Sequence, residues 1–181
     1  MLAKVPPKRN DGKSSFKSLQ KYMEERDVID PETGEVIGWE KDSVAVQTNC
    51  LDRDTAWREM LAVADMNGRV KDPVYHVTLN WQEGENPTDE QAFEAARKAM
   101  KAIGMEDHQY VAAVHRDTDN AHVHLMVNRV HPDTYKAVYP DRDYFKLDKC
   151  VREIELEQGW RHSPGPYAVH ERSEERCVGK E

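Results

Sequence analysis

The chain has 181 residues and a mass of 20.9 kDa, which suits one domain, or one domain with a tail, and allows a sizeable single core. Charged residues make up 33% and hydrophobic residues 38%, with 26 basic against 34 acidic side chains and a formal net charge of -8. That balance excludes a protein that coats nucleic acid by bulk positive charge, and the composition is not one of disorder throughout.

No run of about 18 apolar residues is present, so no membrane insertion is expected. The start, Met1 to Arg9, lacks the apolar stretch of a secretory signal. Cys50, Cys150 and Cys177 are far apart and odd in number, which makes neither a disulfide framework nor a CxxC metal site. A bacterial cytoplasmic location follows as the expectation.

Charge is uneven along the chain. Residues 1–21 hold six basic side chains and one acid, a net of +5, and the remainder nets -13. The first 14 residues, with Pro6, Pro7 and Gly12, read as a basic arm. Ser15 is placed as an N-cap, and Phe16, Leu19, Tyr22 and Met23 recur at helical spacing, giving an amphipathic helix of about three turns. Asp30-Pro31-Glu32-Thr33-Gly34 is a turn, either a hairpin tip or an exposed loop. Val44, Val46 and Thr48 suggest a strand. Thr55 opens a helix that Asn67-Gly68 ends.

Tyr75 to Trp81 alternates and is rich in β-formers, so it reads as a strand. Asn86 to Glu90 starts a helix that runs to Ile103 and stops at Gly104. Gln109 to His115 is a buried strand and Ala121 to Val130 another, with a tight polar loop between them, so the two form an antiparallel hairpin. A last helix spans Tyr144 to Gln158 and Gly159 closes it. The expected fold is therefore α+β, a central mainly antiparallel sheet with helices packed on its faces. The expected domain covers residues 1–165, with arm 1–14, and residues 166–181 form a charged tail that could begin a linker to further domains.

The chemistry concentrates in the hairpin. His122 and His124 are two apart on a strand, so both rings share one face, while Val123 points to the other. His115 ends the preceding strand and a short hairpin brings it alongside. Three imidazoles at one point suit a divalent ion with open positions. Asp117 and Asp119 are near enough to orient ring N–H groups. Such an ion polarises a phosphoryl oxygen or activates water, and both a hydrolase and a tyrosine-nucleophile enzyme are open on these residues.

The run His115-x-Asp117-x-x-Asn120-x-His122-x-His124-x-x-x-Asn128-Arg-Val-His131-Pro132 resembles the three-histidine motif of conjugative relaxases, the HUH endonucleases that start plasmid transfer, and of their MOB-P class in particular. The similarity extends to Lys8-Arg9-x-Asp11-Gly12-x-Ser14-Ser15-Phe16, to Leu19-x-x-Tyr22, to Tyr75-His76-x-x-Leu79-x-Trp81 and to Gln109 through His115. It spans roughly residues 1–160.

The resemblance implies Tyr22 as the nucleophile and His115, His122 and His124 as metal ligands. It implies Asp117 as the acid that orients a histidine or helps deprotonate the tyrosine. Asn80 stands where relatives commonly have serine. The implied reaction is cleavage of single-stranded DNA at an origin of transfer, giving a 5′-phosphotyrosine and a free 3′-OH. An ordinary phenol titrates near 10, so the attack needs a base or a cation.

Also implied are Mg or Mn in function, with Zn or Ni acquired in preparation, an accessory origin-binding protein, a coupling protein with a type IV secretion system, and export of the protein with its DNA. Candidate DNA contacts are Lys4, Lys8, Arg9 and Lys13 in the arm, Asn80, Trp81, Asn128 and Arg129, with Lys136, Arg142, Lys146 and Lys149 nearby. Trp81, Tyr139 and Tyr144 are candidates to stack on bases. A rolling-circle initiator is the competing nickase, but initiators typically place the tyrosine after the histidines. A metal-stabilised DNA-binding module without catalysis is the non-enzymatic alternative.

Overall fold

The computed structural model describes residues 1–7, 15–40, 44–163 and 165. Its elements are β1 (Leu2–Lys4), α1 (Phe16–Glu24), β2 (Arg26–Ile29), β3 (Val36–Glu40), β4 (Ala45–Thr48), α2 (Ala56–Asp65), β5 (Val74–Asn80), α3 (Asp89–Ala102), β6 (Tyr110–His115), β7 (His122–Asn128) and α4 (Asp143–Gln158). Five strands form one sheet in the order β1-β5-β7-β6-β4, and every neighbouring pair is antiparallel. This is the expected α+β architecture. Among the described residues no helix is long and apolar enough to cross a membrane.

The central strands are covered on both faces, which is why β6 reads as a continuous apolar run and is buried at all six positions. Val77, Leu79, Val123, Leu125 and Val127 face α3 and α4, meeting Ala92, Ala96 and Ala99 of one helix and Leu147, Val151 and Ile154 of the other. Val111, Ala113 and Met126 face the opposite way and pack on Phe16 and Met23 of α1 and on Ala56, Met60 and Ala64 of α2. The result is three layers, with the histidine-bearing face of the sheet under α1.

Local signals set the helix ends. Ser15 Oγ accepts from Ser18 N at 3.4 Å. Thr88 and Gln91 form a reciprocal capping box at the start of α3, each side chain accepting from the other's backbone N–H. Gly104 and Gly159 follow α3 and α4 at φ +76 and +74, the left-handed conformation that glycine adopts without a Cβ clash.

Three strands depart from the expectation. Residues 2–4, read as part of the arm, pair with Thr78–Asn80 as the edge strand β1. Met1 is buried and its amino group is ion-paired with the buried Glu155 carboxylate. Strands β2 and β3 make a separate two-stranded ribbon around the 30–34 turn, which is therefore a hairpin tip. Three-residue β1 is too short to show alternation, and the ribbon is too rich in charge to stand out as strand. The arm residues Lys8, Arg9 and Lys13, and the tail 166–181, lie outside the described residues.

Candidate metal centre and nucleophile

The β6–β7 register sets His115 directly opposite His122 and Ala113 opposite His124, so the three histidines share one face. One donor atom from each lies within 4.8 Å of the others. Ring centroids are 4.4 Å apart for His115 and His124, 5.0 Å for His115 and His122, and 5.1 Å for His122 and His124. His115 and His124 are buried, whereas His122 is half-buried and keeps the cluster open to solvent.

A ring must also be held in the right tautomer to act as a ligand. Nε2 of His115 lies 2.7 Å from the Met23 carbonyl oxygen, and Nδ1 of His122 lies 3.1 Å from the Asn120 carbonyl oxygen. A carbonyl only accepts, so these nitrogens carry the protons and the opposite nitrogen of each ring is the donor to an ion. His124 Nδ1 is 3.0 Å from Nε2 of a fourth histidine, His76 on β5. Burial pulls His76 down to about 4, which keeps it neutral and able to accept. Three imidazoles, each braced through its second nitrogen, suit a divalent ion. Asp117 and Asp119 lie exposed in the β6–β7 turn beside the cluster, and two carbonyls and His76 supply bracing contacts to the rings.

Tyr22 reaches this cluster because of how α1 is anchored. Phe16, Gln20, Met23 and Glu24 form the buried face of the helix. Gln20 Nε2 donates to Glu24 Oε1 at 2.7 Å and to the Arg53 carbonyl at 2.6 Å, while its own oxygen accepts from Trp57 N at 3.0 Å. Arg53 Nε donates to Glu24 Oε2 at 3.1 Å. With that face committed to α2, Tyr22 turns outward, 60% exposed, and its ring meets His124 edge-on at 5.5 Å and 88°. Tyr75 and Tyr110, by contrast, are buried.

A cavity of about 530 Å³ opens beside Tyr22 and His124. Strand β1 ends at Lys4, opposite Thr78, and the chain then leaves the sheet. Among the described residues, 74–77 of β5 have no strand partner on that edge, and the gap between this edge, Val5–Pro7 and α1 is the cavity. Asp72, His76 and Arg129 supply its polar wall together with Ser15 and Ser18.

The remaining candidates divide. Arg129 lines the cavity. Lys4 is exposed on β1, and Asn80, opposite His122, donates to the Leu2 carbonyl and to Thr78 Oγ1 at 3.3 Å each. Trp81 is 1% exposed within the core beside α3 and α4, so it does not stack on bases. Asn128 is fully buried; it donates to the Met60 carbonyl at 2.9 Å and accepts from Val130 N at 3.0 Å, tying β7 to α2 rather than reaching DNA. Their motif positions carried no sign of burial, because a polar residue at a strand end reads alike from outside and inside.

His76 shares a period-two spacing with Thr78 and Asn80 that marks the histidine face, a signal of its place beside the cluster. Sequence reading overlooked Trp57, whose ring lies under Lys17 Nζ at 5.1 Å and the Arg58 guanidinium at 5.0 Å.

The sequence matches the family described as Relaxase: MobA/VirD2-like, nuclease domain, over residues 29–160, a span that contains all three histidines and begins after Tyr22. Over 118 residues, 64% of this chain, it is 42% identical to Protein MobA of Acidithiobacillus ferrooxidans. Over 169 residues, 91% of this chain, it is 31% identical to a Protein TraI of Escherichia coli. These stretches are 29% and 22% of the relatives' own lengths, so the chain spans about a quarter of each. The fold is shared, at a TM-score of 0.50 and 12% identity, with a solved structure described as the molecular basis of vancomycin resistance transfer in Staphylococcus aureus, covering 88% of this chain and 93% of that one.

Proposed function

The chain belongs to the relaxase family, as a nuclease domain of the MobA/VirD2-like kind, and from that premise we propose that it nicks one DNA strand at a plasmid origin of transfer with Tyr22 as the nucleophile. The observation that carries this reading is the exposed Tyr22 ring standing edge-on to His124 of the three-histidine cluster.

Tyr22 Oη attacks a phosphodiester phosphorus and the bond to the 3′ oxygen breaks. The phenol gives up a proton and the departing 3′ oxygen gains one, so the products are a 5′-phosphotyrosine and a 3′-OH. The ester bond is exchanged rather than hydrolysed, and the reverse attack rejoins the strand. His115, His122 and His124 would hold a divalent ion, Mg or Mn in the cell, which would supply Lewis-acid stabilisation of the charge developing on the phosphate. His76 holds His124 in its tautomer, and the Met23 carbonyl does the same for His115. The anchored α1 keeps Tyr22 at the cluster, which lowers the entropic cost of attack. Asp117, at the mouth of the hairpin, is the candidate to receive the phenolic proton. The strand runs over Lys4, Asn80, the basic residues of the arm and the Lys17–Trp57–Arg58 surface, consistent with phosphate contacts and stacking in single-strand binding.

The test works without a known origin sequence. The protein is incubated with a random single-stranded DNA pool and Mn²⁺, then denatured, and DNA that remains covalently attached is sequenced. A common sequence at the 5′ ends of the attached strands is the expected result. Absence of any attached DNA, with folded metal-loaded protein, would return the chain to a binding module. The accessory origin-binding protein, the coupling protein with its secretion system, and export with the DNA belong to the same proposal.

A further inference from the structure

Arg129 is 8% exposed, yet among the described residues its guanidinium has no carboxylate partner, and its buried Nε has no hydrogen-bond partner. A buried cation is ordinarily paired. What holds this one are two aromatic rings, Tyr75 at 4.7 Å and Tyr139 at 5.0 Å from the guanidinium carbon. Tyr75 is itself fixed, its hydroxyl donating to Asp143 at 2.9 Å. A cation–π contact uses the charge of a guanidinium but none of its N–H donors, which stay available to a planar or tetrahedral anion. The cavity that Arg129 lines is the one that Tyr22 and His124 also line.

We propose that this cavity is a nucleotide subsite in which Arg129 binds the non-scissile phosphate adjacent to the one Tyr22 attacks. The inference rests on the nicking reading for its register and on the unpaired guanidinium for its chemistry. A strand with its scissile phosphate at Tyr22 must lead its neighbouring nucleotide into the same cavity. Leu19, Pro6 and Pro7 offer that nucleotide's base and sugar an apolar wall, and Arg129 offers its phosphate a charge-assisted, two-pronged contact. Arg129 thereby sets which phosphate reaches Tyr22 without itself touching the reacting atoms.

Two measurements test it. The first uses oligothymidylate, which needs no origin. Arg129→Gln should weaken binding about 10-fold or more and reduce the slope of log affinity against log salt by about 0.7, the value for one phosphate on a single strand. Arg129→Lys, which keeps the charge, should retain the slope while losing affinity. An unchanged slope and affinity in folded Arg129→Gln overturns the proposal.

The second uses a strand captured from the random pool, with single neutral methylphosphonates placed in turn at the phosphates on either side of the nick. Wild-type protein should lose affinity at one adjacent position, and Arg129→Gln should be indifferent there. If Arg129→Gln does not fold, the scan on wild-type protein stands alone, and insensitivity at both adjacent phosphates overturns the proposal. A reduced oligothymidylate slope with no covalent capture would sink the nicking reading and leave the phosphate site; capture with an unchanged slope and affinity would do the reverse.

Discussion

The carbonyl oxygen of Met23 accepts a hydrogen bond from Nε2 of His115 across 2.7 Å, so the residue after Tyr22 is tied to the first histidine of the cluster. Met23 lies in the last turn of α1, where carbonyls have no partner within the helix. One contact therefore satisfies a helix end, fixes a histidine tautomer and sets the distance between the nucleophile's helix and the candidate metal centre.

Replacing Tyr22 with Phe should abolish covalent capture of DNA and leave the fold intact. The hydroxyl is on an exposed ring, and exposed substitutions usually cost within about 0.5 kcal/mol. Metal affinity should be unchanged. A captured strand on Tyr22→Phe, seen as a shifted band on a denaturing gel, would falsify the nucleophile assignment.

His76→Phe should keep the ring packed against His124, 5.2 Å away in the present structure, but remove the acceptor for its Nδ1. Loss of such a bracing contact typically costs about 10–100-fold in metal affinity. Calorimetric titration with Mn²⁺ should show that loss, and His76→Gln, which restores an acceptor oxygen, should recover part of it. Equal affinities for all three proteins would mean that His76 only fills space.

Glu155 is fully buried beneath the Met1 amino group, with Arg152 Nη1 at 3.0 Å and Ser163 N at 3.3 Å. Removing one member of a buried charged set strands the others. Glu155→Ala should lower unfolding free energy by about 3–5 kcal/mol in urea titration. A loss below about 1 kcal/mol would show that water replaces the carboxylate.

His108 is buried, and its Nδ1 lies 2.7 Å from the Asn128 carbonyl oxygen. Desolvation holds its pKa below the ordinary histidine value. The unfolded chain therefore takes up this proton first as pH falls. The contribution is fully present above about 6.5 and is lost as pH falls from there toward the lower folded value. His108→Gln should have a smaller drop in Tm between pH 7 and pH 5 than wild type, with the other histidines common to both. Parallel Tm curves would contradict it.

Trp81→Ala should cost about 3–5 kcal/mol of stability, as for a large aromatic removed from a core. The salt slope of DNA binding should not move. A normal Tm with weakened binding would restore Trp81 as a stacking residue.

Much of this molecule was legible in its sequence. The hairpin of β6 and β7 shows as two apolar runs around a short polar loop, and the strand period alone puts His122 and His124 on one face. Asn86 to Glu90 announce the start of α3, and Gly104 and Gly159 end α3 and α4. Ser15 and the apolar spacing announce α1. What these local signals lack is depth. The spacing of Phe16, Leu19, Tyr22 and Met23 suits a buried tyrosine as well as an exposed one, and only the burial of Gln20 and Glu24 against α2 turns Tyr22 outward.

Sequence by itself determined the element order, the antiparallel hairpin, the shared face of the histidines and the excess of acid over base, because each depends on spacing or on counting. Tertiary structure decided the rest. It placed Trp81 and Asn128 inside, since burial depends on which layers cover a strand. It brought His76 to His124, a contact across two strands and 48 residues. It also opened a cavity where β1 leaves the sheet and put in its wall a guanidinium that has no carboxylate partner among the described residues. The charge of -8 counts every side chain equally, whereas a phosphate responds to the few cations that the fold gathers at one place.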